Sequence, residues 1–132
     1  MNPVTTIENI HTVYVKVDNR PGSLERIAKA LGEKRINIDA ISVETVGSTG
    51  FARLVTNRPN EAVEALRHAR LEAYDSPALL VALPNRPAEL GRACAELSAA
   101  GINIEGVITT ADGRLVVRTH DNERAAQILR KL

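Results

Sequence analysis

The chain has 132 residues, 44% of them hydrophobic and 25% charged, with a formal net charge of +1 at pH 7. That balance suits one or two small folded domains, excludes intrinsic disorder, and supplies no field for nucleic acid or a membrane surface. Two tyrosines, one phenylalanine and no tryptophan exclude a stacking platform for bases, and a single cysteine excludes an intrachain disulfide.

Residues 1–10 read as irregular apart from a short strand signal at Val4–Ile7. They hold no basic stretch followed by an apolar one, so no signal peptide is expected, and a cytoplasmic location is the default. Thr12–Val17 alternates as a strand, with Val13, Val15 and Val17 on one side and Thr12, Tyr14 and Lys16 on the other. The turn cluster Asp18-Asn19-Arg20-Pro21-Gly22 closes it and opens a helix over about Pro21–Lys34. Leu24, Ile27, Ala28 and Leu31 define the apolar face of that helix. A strand is expected over Ile36–Thr45, where the apolar parity shifts between Ile38 and Ile41, as a bulge or two covered faces would require. A hairpin turn at Val46–Gly50, a strand at Phe51–Thr56, a helix entered through Pro59 and a short strand at Leu71–Asp75 complete a βαββαβ unit.

The pattern then repeats. Setting Asn85 against Asn19 gives an offset of 85 − 19 = 66 that needs no gap through to Val107 against Ile41. Asn19-Arg20-Pro21, Leu24, Arg26, Leu31 and Ile36-Asn37-Ile38 meet identical residues at Asn85-Arg86-Pro87, Leu90, Arg92, Leu97 and Ile102-Asn103-Ile104. Turn, helix face and strand are preserved together, so the chain contains an internal duplication. The second unit reads as a strand at Ala78–Leu83, a helix at Pro87–Ala99, strands at Ile102–Thr110 and Arg114–Thr119, and a helix at Asn122–Lys131. It lacks a final strand, and the N-terminal residues are available to fill the open sheet edge, within the chain or across a dimer. The expectation is an α+β protein of two tandem ferredoxin-like units, residues 1–76 and 77–132, with antiparallel sheets and helices on one face.

Val17-Asp18-Asn19-Arg20-Pro21-Gly22-Ser23-Leu24, followed by Ile36-Asn37-Ile38-Asp39, resembles the ACT domain, a small regulatory module that binds amino acids. The resemblance covers almost the whole chain as two tandem units, and is similar to the short stand-alone tandem ACT proteins. The opening stretch from His11 to Leu24 also resembles the small regulatory subunit of acetohydroxyacid synthase. The resemblance implies ligand contacts from the loop Asp18–Leu24 and from Asn37 and Ile38, with Asn85 and Asn103 as their counterparts in the second copy. Val17 stands where some serine-binding ACT domains carry a ligand-binding His. Gly22 becomes Ala88 and Asp18 becomes Pro84 in the second copy, which marks the first loop as the binding one.

Physical chemistry supports the loop independently. A strand running into a helix N-terminus offers free N–H groups to a carboxylate, and Asn19 brings both a donor and acceptors. Asn19 and Asn37 equally suit local turn and backbone hydrogen bonds. Cys94 lies on the apolar face of its helix and reads as a core residue. Leu24–Gly32 also looks like the first helix of a helix-turn-helix, but the Ile-Asn-Ile segment that follows is strand-like. His11, His68 and His120 lie in separate segments, and no nucleophile has a positioned base, so no enzyme, metal or cofactor is expected. The partners expected are a small amino-acid ligand, a second copy in a homodimer, and a biosynthetic enzyme or regulator, with no direct nucleic acid and no membrane.

Overall fold

A computed structural model describes residues 6–84 and 86–132. The element order is β1 (Thr6–Asp18), α1 (Ser23–Glu33), β2 (Ala40–Val46), β3 (Thr49–Val55), α2 (Pro59–His68), β4 (Glu72–Ala82), α3 (Glu89–Ala99), β5 (Ile104–Thr109), β6 (Leu115–Thr119) and α4 (Asn122–Leu129). One compact unit spans His11–Ser76; the other joins residues up to Ile10 with Pro77–Leu132. This is the duplicated α+β, ferredoxin-like arrangement expected from the repeat. β1 and β4 each contribute to both units.

In the unit His11–Ser76 the strands lie in the order β2-β3-β1-β4, with β3 antiparallel to both β1 and β2. Val13 sits opposite Leu54 and Val15 opposite Ala52, so the period of two puts one row of β-branched residues on the helix side. Ile27 and Leu31 of α1 and Ala62 and Leu66 of α2 meet that row, forming a core from which water is excluded. Fully burying a Leu or Ile side chain stabilises by about 1.5–3 kcal/mol, so these few residues carry the unit. On the other side of the sheet, Tyr14 stacks on Phe51 with centroids 5.6 Å apart and lies 6.3 Å from Tyr74. All of the chain's aromatic rings thus share one face.

In the other unit the order is β1-β4-β6-β5, and β6 runs antiparallel to β4 and β5. Leu79, Val81, Leu97, Val117 and Leu129 form its core, and Ile7 packs against it. The strand missing after α4 is therefore supplied by the start of β1. It lies beside β4 here, as the start of β4 lies beside β1 in the first unit. Of the N-terminal strand signal, Val4 and Thr5 fall outside the described residues.

Three differences from the sequence reading have local causes. The segments Leu71–Asp75 and Ala78–Leu83 join into the single strand β4, although Ser76-Pro77 looks like a turn. Pro77 is exposed and falls at the boundary between units, where a proline without an N–H is tolerated. Second, α1 begins only at Ser23, so Leu24 stands in its first turn, half exposed (50%), outside the buried arc Ile27, Ala30 and Leu31. Ala28 is exposed as well, and Leu90 at the equivalent place in α3 is 49% exposed.

Third, β2 starts at Ala40 rather than Ile36, because Ile36 belongs to the helix stop. Arg35 takes a left-handed φ of 55°, and the Ile36 N–H returns to the Leu31 carbonyl at 3.0 Å. The same stop recurs at Arg70-Leu71 after α2 and at Gly101-Ile102 after α3. The buried Ile36 anchors this turn, and the parity shift is the non-strand link 37–39. No second helix follows α1 before β2, which removes the helix-turn-helix.

Candidate functional site: the first strand–helix loop and its cleft

The loop between β1 and α1 is built by its own backbone. The Arg20 N–H donates to the Asp18 carbonyl (3.0 Å), Ser23 N–H to the Arg20 carbonyl (3.3 Å), and Arg26 N–H to the Gly22 carbonyl (3.0 Å). Gly22 holds the position before the helix at φ 92°, a conformation in which a Cβ is strained even where space is open. Asn19 ties the loop to the β2–β3 turn: its N–H donates to the Ser48 carbonyl (3.0 Å) and its Nδ2 to the Gly47 carbonyl (2.9 Å). The Ser23 hydroxyl donates to the Asp18 carbonyl at 2.6 Å. No side chain caps α1, and the N–H groups of Leu24 and Glu25 have no partner among the described residues.

Beside this loop lies a cleft of about 260 Å³, lined by Lys16, Val17, Asp18, Ser23, Arg26, Arg70, Leu71 and Glu72. β1 brings the first three, α1 the next two, and the α2–β4 joint the last three. Both carboxylates are already engaged. Asp18 pairs with Arg20 at 3.5 Å, and Glu72 with Lys16 at 3.9 Å and the Tyr74 hydroxyl at 3.0 Å. Glu72 in turn raises the Tyr74 phenol above its ordinary pKa by accepting its proton in a hydrogen bond. Arg26 spends one N–H on the Ala69 carbonyl (3.0 Å), whereas the Arg70 side chain has no hydrogen bond or ion pair among the described residues.

Of the loop positions singled out in the sequence, Asp18 and Ser23 line the cleft. Asn19, Arg20, Pro21, Gly22 and Leu24 are exposed around it. Asn37 is exposed in the link after α1, Ile38 packs against the first core, Asn103 is exposed before β5, and Asn85 lies outside the described residues. Lys16, Arg26 and Arg70 escaped the sequence reading because basic residues on the outer side of a strand, helix or turn look like solvated surface. The repeat held one signal for them: Arg26 recurs as Arg92.

A second cleft of about 300 Å³ opens where α1 ends beside α2, lined by Lys34, Ile36, Arg58, Glu61, Glu64, Ala65 and His68. Its central cation is structural. Arg58 donates to the Lys34 and Arg35 carbonyls, capping α1, and pairs with Glu61, which this hydrogen bond holds below the usual carboxylate range. Among the described residues no group of three or more His, Cys, Asp or Glu side chains is placed to hold a metal, and no helix is long and apolar enough to cross a membrane.

A duplicated ferredoxin-like unit is a scaffold that serves many functions, so the class of protein comes from its relatives. Residues 8–132 match the family model described as an ACT domain pair, and the chain belongs to that family. Protein BT0572 from Bacteroides thetaiotaomicron has the same fold, with a TM-score of 0.86 at 21% identity over 95% of this chain and 89% of that one. The ligand-free regulatory subunit of aspartate kinase from Thermus thermophilus superposes with a TM-score of 0.70 at 20% identity, covering 98% and 97% of the two chains. A putative C-terminal regulatory domain of aspartate kinase from Porphyromonas gingivalis follows at 0.62 and 13% identity, covering 96% and 94%. None of the curated proteins matches the sequence.

Proposed function

We propose that this chain is a non-catalytic cytoplasmic sensor that binds an amino acid or a similar small effector at the loop Asp18–Leu24. One observation carries the reading: the uncapped start of α1 opens beside a cleft that holds both cations and carboxylates. A zwitterion needs both signs within a few ångströms, with N–H donors for its carboxylate. Binding that orders the loop in one assembly state shifts the population toward that state, which is how such a module reports to an enzyme. Asn37, Ile38 and the second-copy residues Asn85 and Asn103 belong to the proposed contact set through the family's pattern.

A thermal-shift screen of the whole chain against the twenty amino acids tests this. A ligand at one hundred times its dissociation constant adds about 2.7 kcal/mol of stability, which displaces the melting curve visibly. A single responder, weakened by Asn37→Ala, supports the reading; a flat screen rejects it. Asn37 is the cleaner substitution, because Asn19 also holds the β2–β3 turn.

A second reading makes the chain the dedicated regulatory subunit of an amino-acid biosynthetic enzyme. Its match along 97% of a Thermus aspartate kinase regulatory subunit favours that class of enzyme over acetohydroxyacid synthase. Co-purification with a catalytic subunit supports it. In either reading the chain works as a homodimer, which sedimentation tests directly.

A further inference from the structure

The charges of the cleft carry the sensor reading one step further, to the class of effector. Three cations converge there, Lys16 from β1, Arg26 from α1 and Arg70 from the α2–β4 joint. The carboxylates that share the cleft are satisfied within the protein, Asp18 by Arg20 and Glu72 by Lys16 and Tyr74. After that pairing, positive charge is left over on Arg26, whose one recorded side-chain bond goes to a neutral carbonyl, and on Arg70. An arginine offers five N–H donors in a fixed fork that fits a carboxylate or phosphate through two parallel bonds. An amino acid with a neutral side chain brings one carboxylate to two such arginines, so one fork is left unused.

From this we infer that the effector is an amino acid with an acidic side chain, taken by Arg70 and Arg26, and this rests on the reading that the loop binds an amino acid. The α-carboxylate is left to the uncapped N–H groups at the start of α1, and the α-ammonium to the acceptor sites of Asp18 and Glu72 that their pairs with Arg20 (3.5 Å) and Lys16 (3.9 Å) leave open. Leu71 is buried beside the cations and holds the turn that presents Arg70. The acid is carboxylate or phosphate, since both fit the fork.

The backbone provides an unusually clean test. Arg70 has a left-handed φ of 63°, which glycine adopts without strain. Arg70→Gly therefore removes the fork without threatening the fold, and its melting temperature without ligand is expected to stay level or rise. L-Aspartate, L-glutamate and O-phospho-L-serine are titrated calorimetrically into the full chain at constant ionic strength, alongside L-asparagine, L-glutamine and L-serine. One acid is expected to bind at least tenfold more tightly than its neutral counterpart, and whichever acid binds best separates carboxylate from phosphate. In Arg70→Gly that preference is expected to collapse to within about twofold, and Arg70→Lys to restore part of it. Equal binding of acids and amides, or a preference that survives in Arg70→Gly, overturns the inference while leaving the sensor reading intact. If none of the six binds but another amino acid does, the inference alone fails; if no amino acid binds, both fail.

Discussion

The loop after β1 and the loop after β4 share backbone hydrogen bonds and differ in chemistry. With the offset of 66, the bond from Arg20 N–H to the Asp18 carbonyl recurs from Arg86 to Pro84, and that from Arg26 to Gly22 recurs from Arg92 to Ala88. Even the left-handed residue is retained, φ 92° at Gly22 and 74° at Ala88. The side chains part company one residue later. Ser23 is matched by Glu89, whose side chain is only 13% exposed and pairs with Arg86 (2.6 Å) and Arg92 (3.6 Å). Lys16 is matched by Ala82. In the second loop Glu89 pairs with Arg92, whose counterpart Arg26 makes no ion pair among the described residues, whereas Arg20, the counterpart of Arg86, is paired in the first loop with Asp18. The duplication kept the scaffold in both copies and, among the described residues, left Arg26 without an ion pair in one.

The largest effects test whether the scaffold is equivalent. Leu31 and Leu97 are counterparts, 1% and 2% exposed, and each closes the helix stop above its own core. Leu31→Ala and Leu97→Ala are each expected to lose about 2–5 kcal/mol in urea unfolding. A loss below 1 kcal/mol in one of them would break the equivalence of the two cores.

Charge comes next. Ser23→Glu copies the second loop into the first and sets a carboxylate beside Arg26. The thermal response to the effector is expected to fall by at least tenfold in affinity, about 1.4 kcal/mol. The reciprocal Glu89→Ser releases Arg86 and Arg92. A second binding event in calorimetry would mean that only charge silences this loop; no change would assign the silence also to the absence of Lys16 and Asp18 equivalents.

Smaller still is the backbone test. Gly22→Ala meets open space yet forces a Cβ into the left-handed region, for an expected loss of about 1 kcal/mol. Ala88→Gly relieves that strain and gives part of the gain back as unfolded-chain entropy, for a net stabilisation of under about 1 kcal/mol. Opposite signs in thermal melts would sharpen the claim that both loops share one conformation.

The scaffold was legible in the sequence because it rests on local rules. Alternating valines, the Asn-Arg-Pro turn and the exact repeat of Ile-Asn-Ile each report on a few neighbouring residues. The strand β4 was harder, since Ser76-Pro77 separates two apolar runs and a proline breaks a strand pattern, yet pairing with residues distant in sequence carries the strand through. Leu24 misled for the opposite reason: it has the right helical spacing, yet the helix starts too late to bury it. The cleft was least legible. Arg26 and Arg70 are 44 positions apart (70 − 26) and meet only because α1 and the α2–β4 joint come together in the fold. No periodicity announces a charge pair of that kind.

The β-hairpins extend the contrast and give the smallest effect. Gly47 and Gly113 are counterparts with positive φ, but the first turn is held from outside by Asn19. The second is held from within by Asp112, which accepts hydrogen bonds from the Thr110 hydroxyl and from the Arg114 side chain and N–H. The Arg114 and Thr110 bonds lower the Asp112 carboxyl from 3.8 to about 2. Because the folded-state pKa lies below the unfolded one, the unfolded chain takes up the proton first as the solution is acidified. The contribution is therefore complete above about pH 4 and drains away as the pH falls toward about 2. Asp112→Asn is expected to flatten that limb of the melting-temperature profile by a small amount, since the carboxylate is exposed and solvent screens it. Val46, its counterpart in the first turn, has no charge to titrate, so Val46→Thr should leave the acid limb unchanged. If the two substitutions shift the limb equally, the second turn is not held by its own carboxylate.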